Sequence, residues 1–212
     1  MSDSHRFIVV EGPIGVGKTS LAKKLAQSLN AQLVLEQADE NPFLERFYRN
    51  PKAGALPTQL FFLFQRARQL EELNQEDLFA PVRVGDYLLD KDRLFARLTL
   101  DAEEYGLYEQ VYAKLAIAAP RPDLAIYLQA PVDVLQERIA RRGIRYEQHI
   151  ERAYLEKLNQ AYARYFHEYS ASPLLIVNAA QSDFVNNERD YEQLFAQVLR
   201  SKRGRQYFNP LT

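Results

Sequence analysis

Apolar residues fall along this chain in two alternating rhythms. Short runs of consecutive aliphatic and β-branched residues occur at Phe7–Val10, Ala31–Glu36, Val82–Asp86, Asp123–Leu128 and Leu174–Val177. Their length and residue types predict buried strands. Between them apolar residues recur every three to four positions, over Leu21–Leu29, Thr58–Leu73, Leu107–Ala118, Val132–Arg142, Ile150–Tyr169 and Tyr191–Leu199. That spacing predicts helices with one buried face. Asn41–Asn50 also reads as helical, with Pro42 in its first turn. Strands alternating with helices predict an α/β fold, a five-stranded parallel sheet with helices on both faces. No repeat or linker interrupts the pattern. The expectation is a single domain over residues 1–200, then a basic and aromatic tail, 201–212, without a clear period.

Composition narrows the picture. A chain of 212 residues that is 47% hydrophobic and 26% charged suits one domain with a sizeable core. The net charge of −1 argues against nucleic-acid binding driven by overall charge. With no cysteine, disulfides and thiolate metal sites are excluded. The opening Met1-Ser2-Asp3-Ser4-His5 is polar, and no run approaches the ~20 apolar residues of a membrane helix. The expectation is a cytoplasmic protein that binds neither membrane nor nucleic acid.

The chemistry begins at the first strand. Gly12-Pro13-Ile14-Gly15-Val16-Gly17-Lys18-Thr19 fits G-x-x-x-x-G-K-[ST], directly after a strand and before a helix. This is the context in which such a loop binds phosphate. Glycines let backbone N–H groups converge on phosphate oxygens, and the helix that follows, through Ser20, aims its positive end at the same anion. Lys18 is placed to reach the β- and γ-phosphates, and the Thr19 hydroxyl to bind Mg2+. The loop therefore predicts ATP with magnesium.

Ligands of parallel sheets bind beyond the carboxyl ends of the strands. That rule gathers the loop, Glu36, Asp86 and the segment after Val177 at one edge. Glu36 ends an apolar strand there and is the candidate base for an acceptor hydroxyl. Asp86 ends another and is the candidate support for magnesium. Arg138, Arg141, Arg142 and Arg145 form a basic turn suited to a lid, because guanidinium groups neutralise phosphoryl charge in fixed geometry. Gln59 and Arg66, seven residues apart, share one face of a long helix. An amide that donates and accepts suits a base edge. The intervening Phe61, Phe62 and Phe64 read equally as core or as a platform for a base.

Taken together, these residues resemble the deoxynucleoside kinase family, in particular its bacterial deoxyadenosine/deoxyguanosine kinase branch, from about Arg6 to Leu199. The most specific segment is Leu35-Glu36-Gln37-Ala38-Asp39-Glu40-Asn41-Pro42-Phe43-Leu44-Glu45-Arg46-Phe47-Tyr48. The resemblance implies the catalytic base at Glu36 and a sugar 3′-hydroxyl contact at Tyr48. It also implies a nucleobase contact at Gln59 and a base-pocket arginine at Arg66. Gly85–Ala96 resembles the family's acidic-Arg-Ser segment, with Asp86 at the acidic position and Asp92 near the base. Tyr87 stands where the family usually has arginine and Leu88 where it has serine; Arg141 and Arg145 are the expected substitutes. Arg138 and Arg142 match lid arginines, Glu147 the glutamate that holds the 3′-hydroxyl, and Asp183-Phe184 the loop around the donor adenine. A homodimer and a lean toward purines also follow from the resemblance.

The expected function is phosphorylation of a deoxynucleoside at its 5′-hydroxyl from ATP, in nucleotide salvage. Its rivals are a thymidylate-type nucleoside monophosphate kinase and a nucleotide-binding regulatory protein with weak turnover. Glu36 favours a nucleoside, since an acceptor phosphate would call for extra cations and not a carboxylate.

Overall fold

The computed structural model describes residues 5–75, 82–88, 91–115 and 120–209. A mixed order of strands and helices builds one parallel sheet. The strands are β1 (Phe7–Glu11), β2 (Gln32–Val34), β3 (Arg83–Gly85), β4 (Leu124–Gln129), β5 (Leu174–Asn178) and β6 (Arg205–Phe208). They lie in the order β2-β3-β1-β4-β5-β6, every neighbouring pair parallel. The helices are α1 (Lys18–Leu29), α2 (Leu44–Arg49), α3 (Pro51–Gln75), α4 (Lys91–Thr99), α5 (Ala102–Leu115), α6 (Val132–Arg142), α7 (Arg152–Glu168) and α8 (Glu188–Arg200).

The pleat of the central strands divides the core. Ile8, Val10, Ile126, Leu128, Leu175 and Val177 point to one face, onto Leu21 and Leu25 of α1, Leu135 and Ile139 of α6, and Leu194 and Val198 of α8. Val9, Ala125, Tyr127, Leu174 and Ile176 point to the other, onto Leu158, Tyr162 and Phe166 of α7. Side chains alternate at period two, so a strand buried on both faces must be apolar throughout. The continuous runs read as strands are the result.

The sheet has six strands where the sequence predicts five. The sixth comes from the segment 201–212 set apart as a tail: Arg205–Phe208 pairs with Leu174–Val177 of β5. Only alternate residues of β6 are even half-buried, so this edge strand lacks the apolar run that marks the others. The predicted helix 41–50 is present but shorter, as α2, and a 3-10 turn at Ala38–Glu40 precedes it. The break lies at Asn41, whose side-chain oxygen accepts the Phe43 N–H at 3.0 Å and whose amide donates to Thr58 O at 3.2 Å. An asparagine that bonds its own backbone competes with the helix ladder. The helix α3 starts at Pro51, earlier than Thr58, and runs through Pro57. The helix α4 is not foreseen, because Lys91, Asp92 and Arg93 disguise its period. Residues 116–118 of the predicted helix 107–118 lie outside the described residues.

Candidate active site

The phosphate loop links β1 to α1 below the carboxyl edge of the sheet. Gly17 stands before α1 with φ 104°, a left-handed conformation that side chains rarely adopt. Lys18 folds back across the loop and donates to the carbonyls of Gly12 at 2.7 Å and Pro13 at 3.1 Å. Burial and the neighbouring Lys91 lower its ammonium pKa to about 8. Thr19 follows and donates its hydroxyl to Asp86 Oδ2 at 2.6 Å. The other oxygen, Asp86 Oδ1, accepts the Glu36 backbone N–H at 2.8 Å. The pairing of β3 with both β1 and β2 creates this arrangement, since it sets the ends of three strands side by side.

Glu36 is the centre of the next shell of contacts. Arg66 donates to its Oε1, and Lys91 Nζ lies 2.8 Å from its Oε2. Burial pushes the Glu36 carboxyl up, but Lys91 and Arg66 outweigh it and hold the pKa down to about 2. Glu36 is therefore ionised throughout the neutral range. Arg66 also ion-pairs with Asp92 and lies over the rings of Phe62 and Tyr87, at 5.1 and 5.3 Å from their centroids.

These groups line a pocket with Tyr48, Gln59, Phe62, Lys91, Arg142, Glu147 and Tyr154. Tyr48 stacks on Tyr146, ring centroids 6.1 Å apart. Gln59 is 3% exposed, and its amide has no hydrogen-bond partner among the described residues. Its donors and acceptor are thus free for a ligand's polar edge. Of the three phenylalanines, Phe62 lines this pocket, Phe61 meets Phe43 edge-on, and Phe64 is exposed. Of these three, Phe62 is the one that walls the pocket, together with Phe47 and Phe95.

A second cleft lies on the far side of the loop, bounded by Gly15–Ser20, Arg138, Arg141, Arg142, Ser182, Asp183, Phe184, Val185 and Asn186. Phe184 is buried beside Gly17, where a Cβ would lie 3.4 Å from its ring. Asp183 accepts from the Asn186 backbone at 3.1 Å and so shapes the turn. Lys18, Thr19 and Arg142 line both clefts. The two cavities thus meet at the phosphate loop, one side holding a base-like carboxylate and the other open to a donor. Residues of the second cleft come from the phosphate loop, the first turn of α1, the last turns of α6 and the segment after β5.

The family model of deoxynucleoside kinases matches residues 8–202. The chain belongs to the deoxynucleoside kinase family. A deoxyguanosine kinase of Bacillus subtilis is 36% identical over 198 residues, covering 91% of this chain and 95% of that protein. A deoxyadenosine kinase of Lactobacillus acidophilus is 29% identical over 207 residues, covering 91% and 94%. Among solved structures, a deoxyadenosine kinase from M. mycoides with products dCMP and a flexible dCDP bound superposes with a TM-score of 0.78. It is 24% identical and covers 91% of this chain and 98% of that one, a likeness of fold. The class of this enzyme follows from the family: a kinase that phosphorylates deoxynucleosides.

Within this kinase fold, the site residues named from the sequence do not all share one place. Glu36, Tyr48, Gln59, Arg66, Asp86 and Glu147 share the first pocket. Asp92 stands behind it, 1% exposed, and reaches the pocket only through Arg66. Arg138 is committed to backbone carbonyls, donating to Val16 O of the phosphate loop at 3.1 Å and to Ala179 O after β5 at 2.7 Å. Arg142 ion-pairs with Glu147, and Arg141 and Arg145 are exposed. Three neighbours of the site were not named from the sequence. Lys91 is one; its signal was a lone cation between Asp86 and Asp92. Glu11 is another: it is 1% exposed and accepts from Gly12 N at 3.0 Å, Leu88 N at 2.7 Å and the Tyr162 hydroxyl at 2.9 Å. A carboxylate ending an apolar strand, the signal used for Glu36, marks it too. The third, Tyr154, lines the pocket with a hydroxyl that has no partner among the described residues.

Proposed function

We propose that this kinase transfers the γ-phosphoryl group of magnesium-bound ATP to the 5′-hydroxyl of a deoxynucleoside, with purines preferred. The observation that carries the proposal is a Glu36 carboxylate kept ionised in one cavity that meets the phosphate loop of another through Lys18, Thr19 and Arg142.

The acceptor lies along the first cavity. Gln59 meets the polar edge of its base, Phe62 and Arg66 border the ring, and Tyr48 and Glu147 hold the sugar hydroxyl. Glu36 takes the 5′-hydroxyl proton as the oxygen attacks phosphorus. Lys18 exchanges its two backbone carbonyls for phosphate oxygens, and its charge offsets the charge spreading over the transferring group. Arg142 adds a second donor from the lid, while Arg138 anchors the loop to α6. Thr19 and Asp86 would hold magnesium. They offer a hydroxyl and a carboxylate in contact at 2.6 Å, hard oxygen donors that suit an ion whose other ligands are water and phosphate. Held there, the ion would supply positive charge that offsets the charge on the phosphate. Asp183 and Phe184 border the donor's base.

A carboxylate, Glu36, in the cavity that meets the phosphate loop suits an acceptor hydroxyl that must lose a proton, which supports a nucleoside. The purine preference draws support from relatives named deoxyguanosine and deoxyadenosine kinase. No described helix is long and apolar enough to cross a membrane. We take the enzyme as cytoplasmic and homodimeric by family resemblance. Turnover with ATP and each of the four deoxynucleosides tests the proposal. A purine deoxynucleoside should give the highest kcat/KM, and absence of turnover with all four would refute it.

A further inference from the structure

Lys91 opens α4 and is 7% exposed, a cation taken almost entirely out of water. Such burial is costly unless an anion meets the charge. Among the described residues, Glu36 is the one carboxylate paired with it. Arg66 also pairs with Glu36, but its charge is met separately by Asp92, itself 1% exposed. Arg66 with Asp92 and Lys91 with Glu36 are therefore two neutral pairs. Only the second turns its anion toward the acceptor. Lys91 lines the same cavity as Lys18, Thr19 and Asp86, and its ammonium lies 5.4 Å from the centroid of the Phe95 ring. Among the described residues, the other cations near this position are engaged elsewhere: Arg66 with Asp92 and Arg142 with Glu147. Lys18 is turned to the loop carbonyls, Tyr87 gives its hydroxyl to Gln69 at 2.7 Å, and Arg141 and Arg145 are exposed.

We infer that Lys91 is a catalytic residue, a second cation that meets the phosphoryl group at the acceptor end of its path while Lys18 serves the donor end. The inference rests on the phosphoryl-transfer reading above. In that reaction the acceptor oxygen forms a bond to the γ-phosphorus. The bond from phosphorus to the bridging oxygen breaks, and its electron pair leaves on the nucleoside diphosphate. The acceptor proton goes to Glu36. Glu36 is then neutral, and Lys91 has lost its anionic partner among the described residues. At that moment a phosphoryl group arrives on the oxygen that Glu36 was holding. The ammonium, 2.8 Å from Glu36 Oε2, is already in place to bind the new phosphate oxygens. Before transfer, the same ion pair aims the carboxylate at the hydroxyl. Lys91 is thus satisfied at both ends of the reaction by different anions, which lets the site hold a buried cation at every stage.

Three variants test this, each measured at saturating ATP over a range of deoxynucleoside concentrations. Lys91→Met should lower kcat by ~10²-fold or more and move the nucleoside KM by less than ~threefold, because the missing charge acts on transfer and not on the base or sugar. Lys91→Arg should recover ~tenfold or more of that loss, since it keeps the charge. Because the chain contains no cysteine, Lys91→Cys introduces a sole thiol. Alkylation with 2-bromoethylamine rebuilds an ammonium of lysine length there, and kcat should rise by ~tenfold or more over the untreated half of the same preparation. This last comparison holds even where Lys91→Met folds poorly, because both halves carry the same substitution. A folded Lys91→Met with kcat within ~threefold of the parent, or complete alkylation verified by mass without a gain in kcat, would overturn the inference. A parent that phosphorylates no deoxynucleoside would overturn the functional reading and this inference together. An active parent with an equally active Lys91→Met would overturn the inference alone.

Discussion

The Glu36 backbone N–H donates to Asp86 Oδ1 at 2.8 Å while the Thr19 hydroxyl donates to Asp86 Oδ2 at 2.6 Å. One carboxylate thus ties the acceptor side of the site to the phosphate loop. Asp86→Asn keeps the shape and an acceptor for one donor, but removes the charge that would face magnesium. The expected outcome is a kcat lowered by ~10²-fold or more, together with a higher magnesium concentration for half-maximal rate. A magnesium titration of turnover checks both. An unchanged magnesium requirement would remove Asp86 from the metal site.

Glu36→Gln tests the base, and the structure adds a cost that the sequence did not reveal. An amide cannot take the acceptor proton, so kcat should fall by ~10²–10⁴-fold. It also leaves Lys91 beside a neutral group, with 6% of that lysine's side chain exposed. Removing one partner of a buried pair costs ~3–5 kcal/mol when burial is complete. Glu36 retains 16% side-chain exposure, so ~1–3 kcal/mol is expected here. Urea denaturation beside steady-state kinetics separates the two effects. A variant that keeps the parent kcat would leave Glu36 as a structural partner of Lys91 and Arg66.

Gln59→Ala should weaken the nucleoside and spare both ATP and the fold. The amide has no partner among the described residues, so its removal breaks no internal hydrogen bond. The base edge it would have met is left unpaired in a desolvated pocket, at a cost of ~1–3 kcal/mol, or roughly five- to 150-fold in nucleoside affinity. Titration calorimetry with each substrate checks the asymmetry. Equal weakening of both ligands would count against the contact.

Gly54→Ala probes how the pocket is braced. Gly54 packs against α2, and a Cβ there would lie 2.5 Å from Phe47 Cα and 2.6 Å from Phe47 N. Backbone cannot yield as a flexible side chain does, so α2 must shift, at ~1–3 kcal/mol of stability. Because α2 carries Tyr48, the nucleoside KM should rise as well, while the KM for ATP stays near the parent value. A variant with parental melting temperature and KM would mean that α2 moves freely.

The phosphate loop was legible because its chemistry is local: glycines, lysine and threonine sit within eight consecutive positions between a strand and a helix. Glu36 and Asp86 were legible for a related reason. A parallel sheet sends strand ends to one edge, so a carboxylate closing an apolar run is already placed. Helix α4 and Lys91 were not legible. Pattern reading assigns charges to the solvent side, whereas Lys91 and Asp92 turn inward because Glu36 and Arg66, distant in the chain, neutralise them. The edge strand β6 escaped because a strand covered on one side carries little apolar signal.

The amino-acid sequence by itself determined the class of fold, the phosphate loop and the carboxylates at the sheet edge, since each depends on periodicity or on neighbours a few residues apart. Only the tertiary structure decided which cation serves which anion. It assigned Arg66 to Asp92, Lys91 to Glu36, Arg138 to the loop backbone and Arg142 to Glu147. The physical reason is that pairing in a buried site is a matter of distance and desolvation among residues far apart in the chain, and no local pattern encodes either.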